Sequence, residues 1–258
     1  MDCKGDSIEN SLYLYQSLRH VTIRTTKFMN STNQRSLIQL LNVGHKNRFF
    51  LDAYLSYEWN SEKVTSLFED LWQLSIDRIQ VPDRILYMGP ILTYSDKDLR
   101  NDFRNDFRFV DIGHSHLITF SLLLRAILYD LEKTPSKKPE DIKYIRKIQH
   151  VLWQKPTKIG GEPDRSKLLL CSIMSADEVE AEILQIIIET GEVIPNSEDN
   201  YSKNYNILKH LYATKKQSNS LNIYNFIESV LNYVMFLHIE GDDMETAWDL
   251  YHALFYKE

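Results

Sequence analysis

The most apolar helical stretch in the chain runs from His114 to Glu132. Its apolar residues recur every three or four positions, the spacing of one helix face: Leu117, Phe120, Leu124, Ile127, Leu128 and Leu131. Further apolar residues widen this stripe around most of the circumference, and a helix of that kind is buried on most sides. The pattern predicts a central helix around which the other helices pack.

Similar spacing predicts helices along much of the remaining chain, including Ser7–Phe28, Gln34–Leu41, Arg48–Trp59, Glu140–Trp153, Tyr205–Thr214, Leu221–Ile239 and Met244–Phe255. The apolar segment Ile85–Tyr94 is interrupted by Gly89 and Pro90, so we interpret it as a buried connector rather than a strand. The predicted fold class is therefore all-α: a compact domain of about nine or ten helices, with little or no strand.

One segment has the composition of a linker. Residues 155–167 contain two prolines and the pair Gly160–Gly161, which is typical of a break between helices. The sequence thus predicts an N-terminal helical subdomain over 1–154 and a C-terminal one over 168–258. A chain of 258 residues suits one large domain or two small ones, so we expect the two parts to pack as one unit.

Composition points to a soluble, cytoplasmic protein. The chain has only two cysteines, which argues against a disulfide framework, and its N-terminus lacks an apolar signal core. Its purest apolar run, Leu117–Leu124, is too short to cross a bilayer, so no membrane association is expected. The net charge of −6 disfavours general binding of nucleic acid, whose phosphates require cations, although such binding stays possible.

Recognisable catalytic and cofactor motifs are missing from the sequence. It has no glycine-rich phosphate loop, HExxH or GxSxG motif, so we expect no cofactor, and an enzyme is the less favoured class. His114 and His116 form an HxH pair, but at the start of a helix the two rings point about 200° apart, so we expect no metal. Asp242 and Glu245 have the spacing of a helix cap rather than of a metal site.

One short motif supports an alternative. The segment Arg108-Phe-Val-Asp-Ile-Gly-His114 resembles the R-x(4–6)-H motif of the HEPN ribonuclease family. The resemblance implies a dimeric RNA-cleaving site, in which Arg108 steadies the phosphate charge and His114 transfers protons. The basic run Lys133–Lys158 is then either a strip that faces RNA or the solvated face of a helix. Equally open is a structural role, with Arg108 paired to an acid and His114 capping a helix.

Tyrosine is abundant, with 15 residues, and it is enriched in protein-binding hot spots. Those near the polar sides of predicted helices are our candidates for an interface: Tyr57, Tyr201, Tyr205 and Tyr212. The leading hypothesis is a soluble helical protein-binding module with a protein partner, such as an immunity or antitoxin-type inhibitor of a basic enzyme. A HEPN-like ribonuclease or RNA-binding toxin that uses Arg108 and His114 is the alternative.

Overall fold

A computed structural model describes residues 32–41, 48–51, 57–95, 107–154, 163–172, 178–218 and 222–256. Over these residues the elements are, in chain order, β1 (Thr32–Ser36), α1 (Leu37–Leu41), β2 (Arg48–Leu51), α2 (Ser61–Gln80), β3 (Leu86–Tyr94), β4 (Phe107–Ile112), α3 (His114–Lys133), α4 (Pro139–Leu152), β5 (Leu170–Ser172), α5 (Glu178–Thr190), α6 (Asn200–Ser218), α7 (Ile223–Asn232), β6 (Val234–Gly241) and α8 (Met244–Phe255). The helix predicted over Ser7–Phe28 lies outside the described residues.

The described strands form one six-stranded mixed sheet in the order β1-β6-β3-β4-β2-β5. The pairs β6–β3, β4–β2 and β2–β5 are parallel, whereas β1–β6 and β3–β4 are antiparallel. The prediction of an all-α helical bundle is therefore wrong: the chain combines helices with a mixed sheet.

The misread of β6 has a physical cause. The helix predicted over Leu221–Ile239 ends at Asn232, and the chain continues as a strand. Val234 and Phe236 belong to the main core on one face of the sheet, while Leu237 and Ile239 belong to a second core on the other. A strand that is buried on both faces loses the alternation of apolar and polar residues that identifies a strand.

Three further segments were also predicted wrongly, and in one of them, the helix predicted over Gln34–Leu41, the first three residues belong to β1. Ile85–Tyr94 is not a connector, because most of it forms β3, with a register shift between Tyr87 and Pro90. Gly89 lies at this irregularity with a φ of +95°, a conformation that glycine adopts easily, and the bulge accommodates the proline. The start of the helix predicted over Arg48–Trp59 is instead the short strand β2.

The prediction of a central helix is confirmed by α3. It begins at His114 and buries residues around most of its circumference, and it contacts α4, α5 and α6. The main core on this helical face includes residues from both sides of the predicted linker, such as Ile148 and Leu208. The division into 1–154 and 168–258 stays a prediction.

The opposite face of the sheet carries only α8 among the described residues. A smaller core joins the helix to β3 and β6, formed by Leu92, Leu237, Ile239, Ala247 and Leu250. Gly241, at the end of β6, lets the helix come close, because a Cβ at that position would lie 2.5 Å from the backbone nitrogen of Ala247. The backbone of α8 therefore rests directly on the end of the sheet.

Candidate functional site

Arg108 lies at the start of β4, beside the carboxyl ends of β3 and β6. Its guanidinium forms an ion pair with Glu240, and its Nη1 donates to Ser95 Oγ at 2.9 Å. Thr93 Oγ1 lies 2.8 Å from His238 Nε2 on these strands, and burial lowers the pKa of His238 to about 4. Arg108 thus has the acidic partner that the structural interpretation of the motif expected.

His114 is at the other end of β4, where it begins α3 after a turn at Gly113. An extended chain rises about 3.3 Å per residue, so the strand from Arg108 to its last residue, Ile112, already separates the two ends by about 13 Å. The structure does not bring these two residues together within one chain. Their use in an RNA-cleaving site stays a prediction.

His116 lies two residues after His114, in the first turn of α3. Its ring meets the Trp59 ring edge to face at 4.8 Å, and burial, with a further contribution from nearby Lys63, lowers its pKa to about 4. Among the described residues, no group of three or more His, Cys, Asp or Glu is placed to hold a metal ion.

The four tyrosines proposed as interface residues are buried. Their exposed fractions lie between 0% and 6%: Tyr57, Tyr201, Tyr205 and Tyr212. The Tyr57 hydroxyl, for example, lies 2.8 Å from Thr119 Oγ1 and accepts from Asn204 Nδ2 at 3.1 Å. The sequence placed these rings on polar helix faces, and the structure corrects that placement because the surrounding helices cover them. A binding role for them stays a prediction that would require those helices to separate.

The outward surface of α8 is acidic. Asp242, Asp243, Glu245 and Asp249 lie on or next to this helix, and 242–256 contains no Lys or Arg. Asp243, rather than the predicted Asp242, caps the helix, with its Oδ1 accepting from the backbone nitrogen of Thr246 at 2.9 Å. Glu245 and Asp249 are exposed. This surface therefore presents the carboxylates of Glu245 and Asp249 to solvent.

A row of aromatic rings follows the same helix. Trp248 contacts Tyr251 at 5.4 Å, Tyr251 contacts Phe255 at 4.7 Å, and His252 contacts Tyr256 at 5.5 Å between ring centroids. Trp248, Tyr251 and Phe255 are half-buried, and burial raises the pKa of Tyr251, whereas Tyr256 is 66% exposed. We call this combination of carboxylates and rings the α8 face.

Sequence reasoning missed the α8 face, although a signal was available. The aromatic residues from Trp248 to Tyr256 recur at three- and four-residue spacing, together with acids and without a lysine or arginine. The same spacing is also typical of a helix that is buried on one side only, so it does not identify the exposed side. Which side faces the sheet depends on where β6 lies, and the strand was not predicted.

No protein-family model matches the chain, and no curated protein matches it. Among the described residues, no helix has the length and apolar character needed to cross a membrane.

Proposed function

We propose that this chain is a protein-binding module, that the α8 face is its binding surface, and that its partner is a basic protein. The observation that carries the proposal is the coincidence of exposed carboxylates and aromatic rings on α8, the helix that covers this side of the sheet in the part of the chain that the structure describes. Trp248 and Tyr256 would supply the apolar contacts, and Glu245 and Asp249 would surround them with negative charge.

The physical roles of the two residue classes differ. Aromatic side chains provide large contact areas at low cost in conformational entropy, and Trp and Tyr are enriched among residues that dominate binding energy. Charges at the rim contribute mainly to the rate and selectivity of association. A basic partner would therefore be attracted by the carboxylates and held by the rings.

Within this proposal, the finer assignment is an inhibitor of the immunity or antitoxin type that acts in the cytoplasm on a basic enzyme. Charge complementarity supports it, because nucleases and other enzymes that act on polyanions carry basic surfaces. An acidic protein with an acidic, aromatic surface is suited to block such a surface.

The test compares capture by three full-length tagged proteins: the wild type, Glu245→Gln/Asp249→Asn, and the control Glu62→Gln/Glu198→Gln. The control removes the same charge from exposed positions on the helical side of the molecule. A partner that supports the proposal is basic, and its association with the α8 variant is about tenfold slower at low salt. The rates are measured on the purified pair by surface plasmon resonance, at low and at high salt.

A second variant tests the rings without risk to folding. Tyr256→Ala removes a mostly exposed side chain, and at a binding hot spot the loss is about 2 kcal/mol of affinity. The proposal is wrong if the partner binds both charge variants equally well, or if Tyr256→Ala and the wild type give the same Kd.

A further inference from the structure

The side of α3 that faces away from the sheet carries a buried guanidinium with unused hydrogen-bond donors. Arg125 is 1% exposed, and among the described residues its Nε and Nη1 have no hydrogen-bond partner. The nearest carboxylate oxygen, Glu132 Oε2, is 3.5 Å from Nη1. That distance gives Coulomb attraction without a well-formed hydrogen bond.

The indole of Trp153 lies beside this guanidinium. Its Nε1 is buried and also has no acceptor among the residues that the structure describes. The guanidinium carbons of Arg125 and Arg165 lie 6.0 Å and 5.0 Å from the centroid of the Trp153 ring, and Arg165 forms an ion pair with Glu132. Three buried donor nitrogens without an acceptor, two from Arg125 and one from Trp153 itself, thus lie in this part of the described structure.

Two lysines extend the positive charge toward solvent. Lys133 Nζ and Lys209 Nζ lie 4.0 Å and 3.9 Å from the centroid of the Tyr129 ring, on the helix turn after Arg125. Both approach Glu192 only loosely, at 3.6 Å and 3.8 Å. The four cations and two carboxylates named here, which we call the Arg125 cluster, carry a surplus of two positive charges.

Helix ends explain part of this arrangement. The helices α3, α4 and α5 end at Lys133, Leu152 and Thr190, and the partial negative charge of helix C-termini stabilises nearby cations. This effect accounts for the lysines. It supplies no acceptor for Arg125 Nε or Trp153 Nε1, and buried donors in proteins are nearly always paired.

We propose that the Arg125 cluster binds an oxyanion of the phosphate class. The guanidinium donors match the oxygens of a phosphoryl group, and the surplus charge matches its two negative charges. The Glu132 carboxylate lies near the position proposed for the anion. At 3.5 Å from Arg125 Nη1, it is too far away to accept a well-formed hydrogen bond. Arg165 and Glu132 are partly exposed and form the entrance.

The test uses the four tryptophans of the chain as reporters. Inorganic phosphate is titrated into the ¹⁵N-labelled full chain at constant ionic strength, with chloride as the reference anion. We expect one indole N–H resonance, assigned through Trp153→Phe, to shift with saturation. At about five times Kd, phosphate raises Tm by about 3 °C. A phosphomonoester titrated in parallel distinguishes a phosphorylated metabolite from free phosphate as the ligand.

Variants decide which groups hold the anion. Arg125→Met abolishes the shift, Arg165→Gln weakens phosphate binding about tenfold, and Glu132→Gln strengthens it because a competing charge is lost. Lys143→Gln removes the same charge as Arg165→Gln, but from an exposed position on α4, and changes nothing. Should Arg125→Met fail to fold, the exposed Arg165 still tests the site. The proposal is overturned if no resonance saturates by about 10 mM phosphate, or if Arg165→Gln and Lys143→Gln behave alike.

Discussion

The two sides of the sheet use helices in opposite ways. On one side α3 is surrounded by other helices and buries residues around most of its circumference, from Leu117 to Leu131. On the other side α8 buries only Ala247 and Leu250 fully, and Trp248, Tyr251, Leu254 and Phe255 pack partly buried against the smaller core. A helix enclosed on all sides stabilises the fold, whereas a helix packed on one side leaves its other side for other contacts.

The charges at the two proposed sites also differ in how far they are buried. The α8 face has exposed carboxylates beside half-buried rings, so its charge acts at long range on an approaching partner. The Arg125 cluster holds its central charge in the interior, where a guanidinium interacts strongly only with a group that touches it. The comparison teaches that the two proposed sites would select different ligands: a large basic surface at α8 and a small oxyanion at Arg125.

The largest expected effect is a difference in how much each side of the sheet contributes to the free energy of unfolding. Phe120 is fully buried and its ring meets Phe236 edge to face at 5.8 Å, so Phe120→Ala is expected to cost about 3–5 kcal/mol of unfolding free energy. Leu250→Ala, in the smaller core, is expected to cost about 2–3 kcal/mol. Denaturant unfolding with hydrogen exchange checks both. If Leu250→Ala lowered hydrogen-exchange protection throughout the chain, the two sides of the sheet would not differ in their contribution to stability.

Acid should act on the helical side through two histidines. The pKa values of His116 and His238 fall from an ordinary 6.5 to about 4 on folding. Well above pH 6.5 both rings are neutral in either state. Between pH 6.5 and 4 the unfolded chain binds protons that the folded chain does not, so stability falls by about 2–3 kcal/mol for each histidine.

Urea unfolding at pH 7 and pH 4.5 measures this loss. His116→Phe is expected to remove its part of the pH dependence. An identical slope in His116→Phe and wild type would show that His116 does not titrate as described.

A smaller effect concerns how α8 is attached. Gly241→Ala places a methyl group 2.5 Å from the backbone nitrogen of Ala247, so the helix must shift, at a cost of about 1–3 kcal/mol. Gly89→Ala is the control: its added methyl meets nothing within 4 Å, and the cost is backbone strain of about 1 kcal/mol. The indole resonance of Trp248 should move in Gly241→Ala alone, and equal shifts in both variants would argue against direct packing.

The smallest effect distinguishes buried from exposed tyrosines. Tyr57→Phe removes the hydroxyl that Thr119 and Asn204 contact, and we expect a loss of about 1 kcal/mol. Tyr256→Phe, on the α8 face, should change stability by less than about 0.5 kcal/mol. Thermal unfolding compares the pair. If Tyr57→Phe were as silent as Tyr256→Phe, the hydrogen bonds at Tyr57 would contribute nothing to stability.

Sequence patterns identified the parts of the fold that depend on local information. The bounds of α3 follow from its apolar spacing, and the start of α2 follows from Asn60, whose side chain accepts from the Lys63 backbone nitrogen at 2.9 Å. The strands were missed because β6 is apolar on both faces, and because β3 contains Gly89 and Pro90 at a bulge. When the neighbouring strands are unknown, the first feature resembles a buried helix and the second resembles a connector between elements.

The candidate sites were beyond local information for a related reason. The ion pair of Arg108 and Glu240 joins residues 132 positions apart, and Tyr57 and Asn204 are 147 positions apart. Such contacts depend on sheet order, which single-sequence spacing does not determine. The acids and rings of α8 could be recognised from spacing, but their exposure could be assigned only after the sheet was known.

The close contact between Gly241 and Ala247 has a consequence for how this protein can evolve. Because the close approach of α8 to the sheet depends on Gly241, at the end of β6, and on Ala247 of the helix, the exposed positions 245, 249 and 256 lie outside that contact. Descendants that keep the two small residues can exchange those outward side chains one at a time without passing through an unstable intermediate. Selection for a new partner would therefore leave its trace as variable outward positions beside an unchanging glycine and alanine.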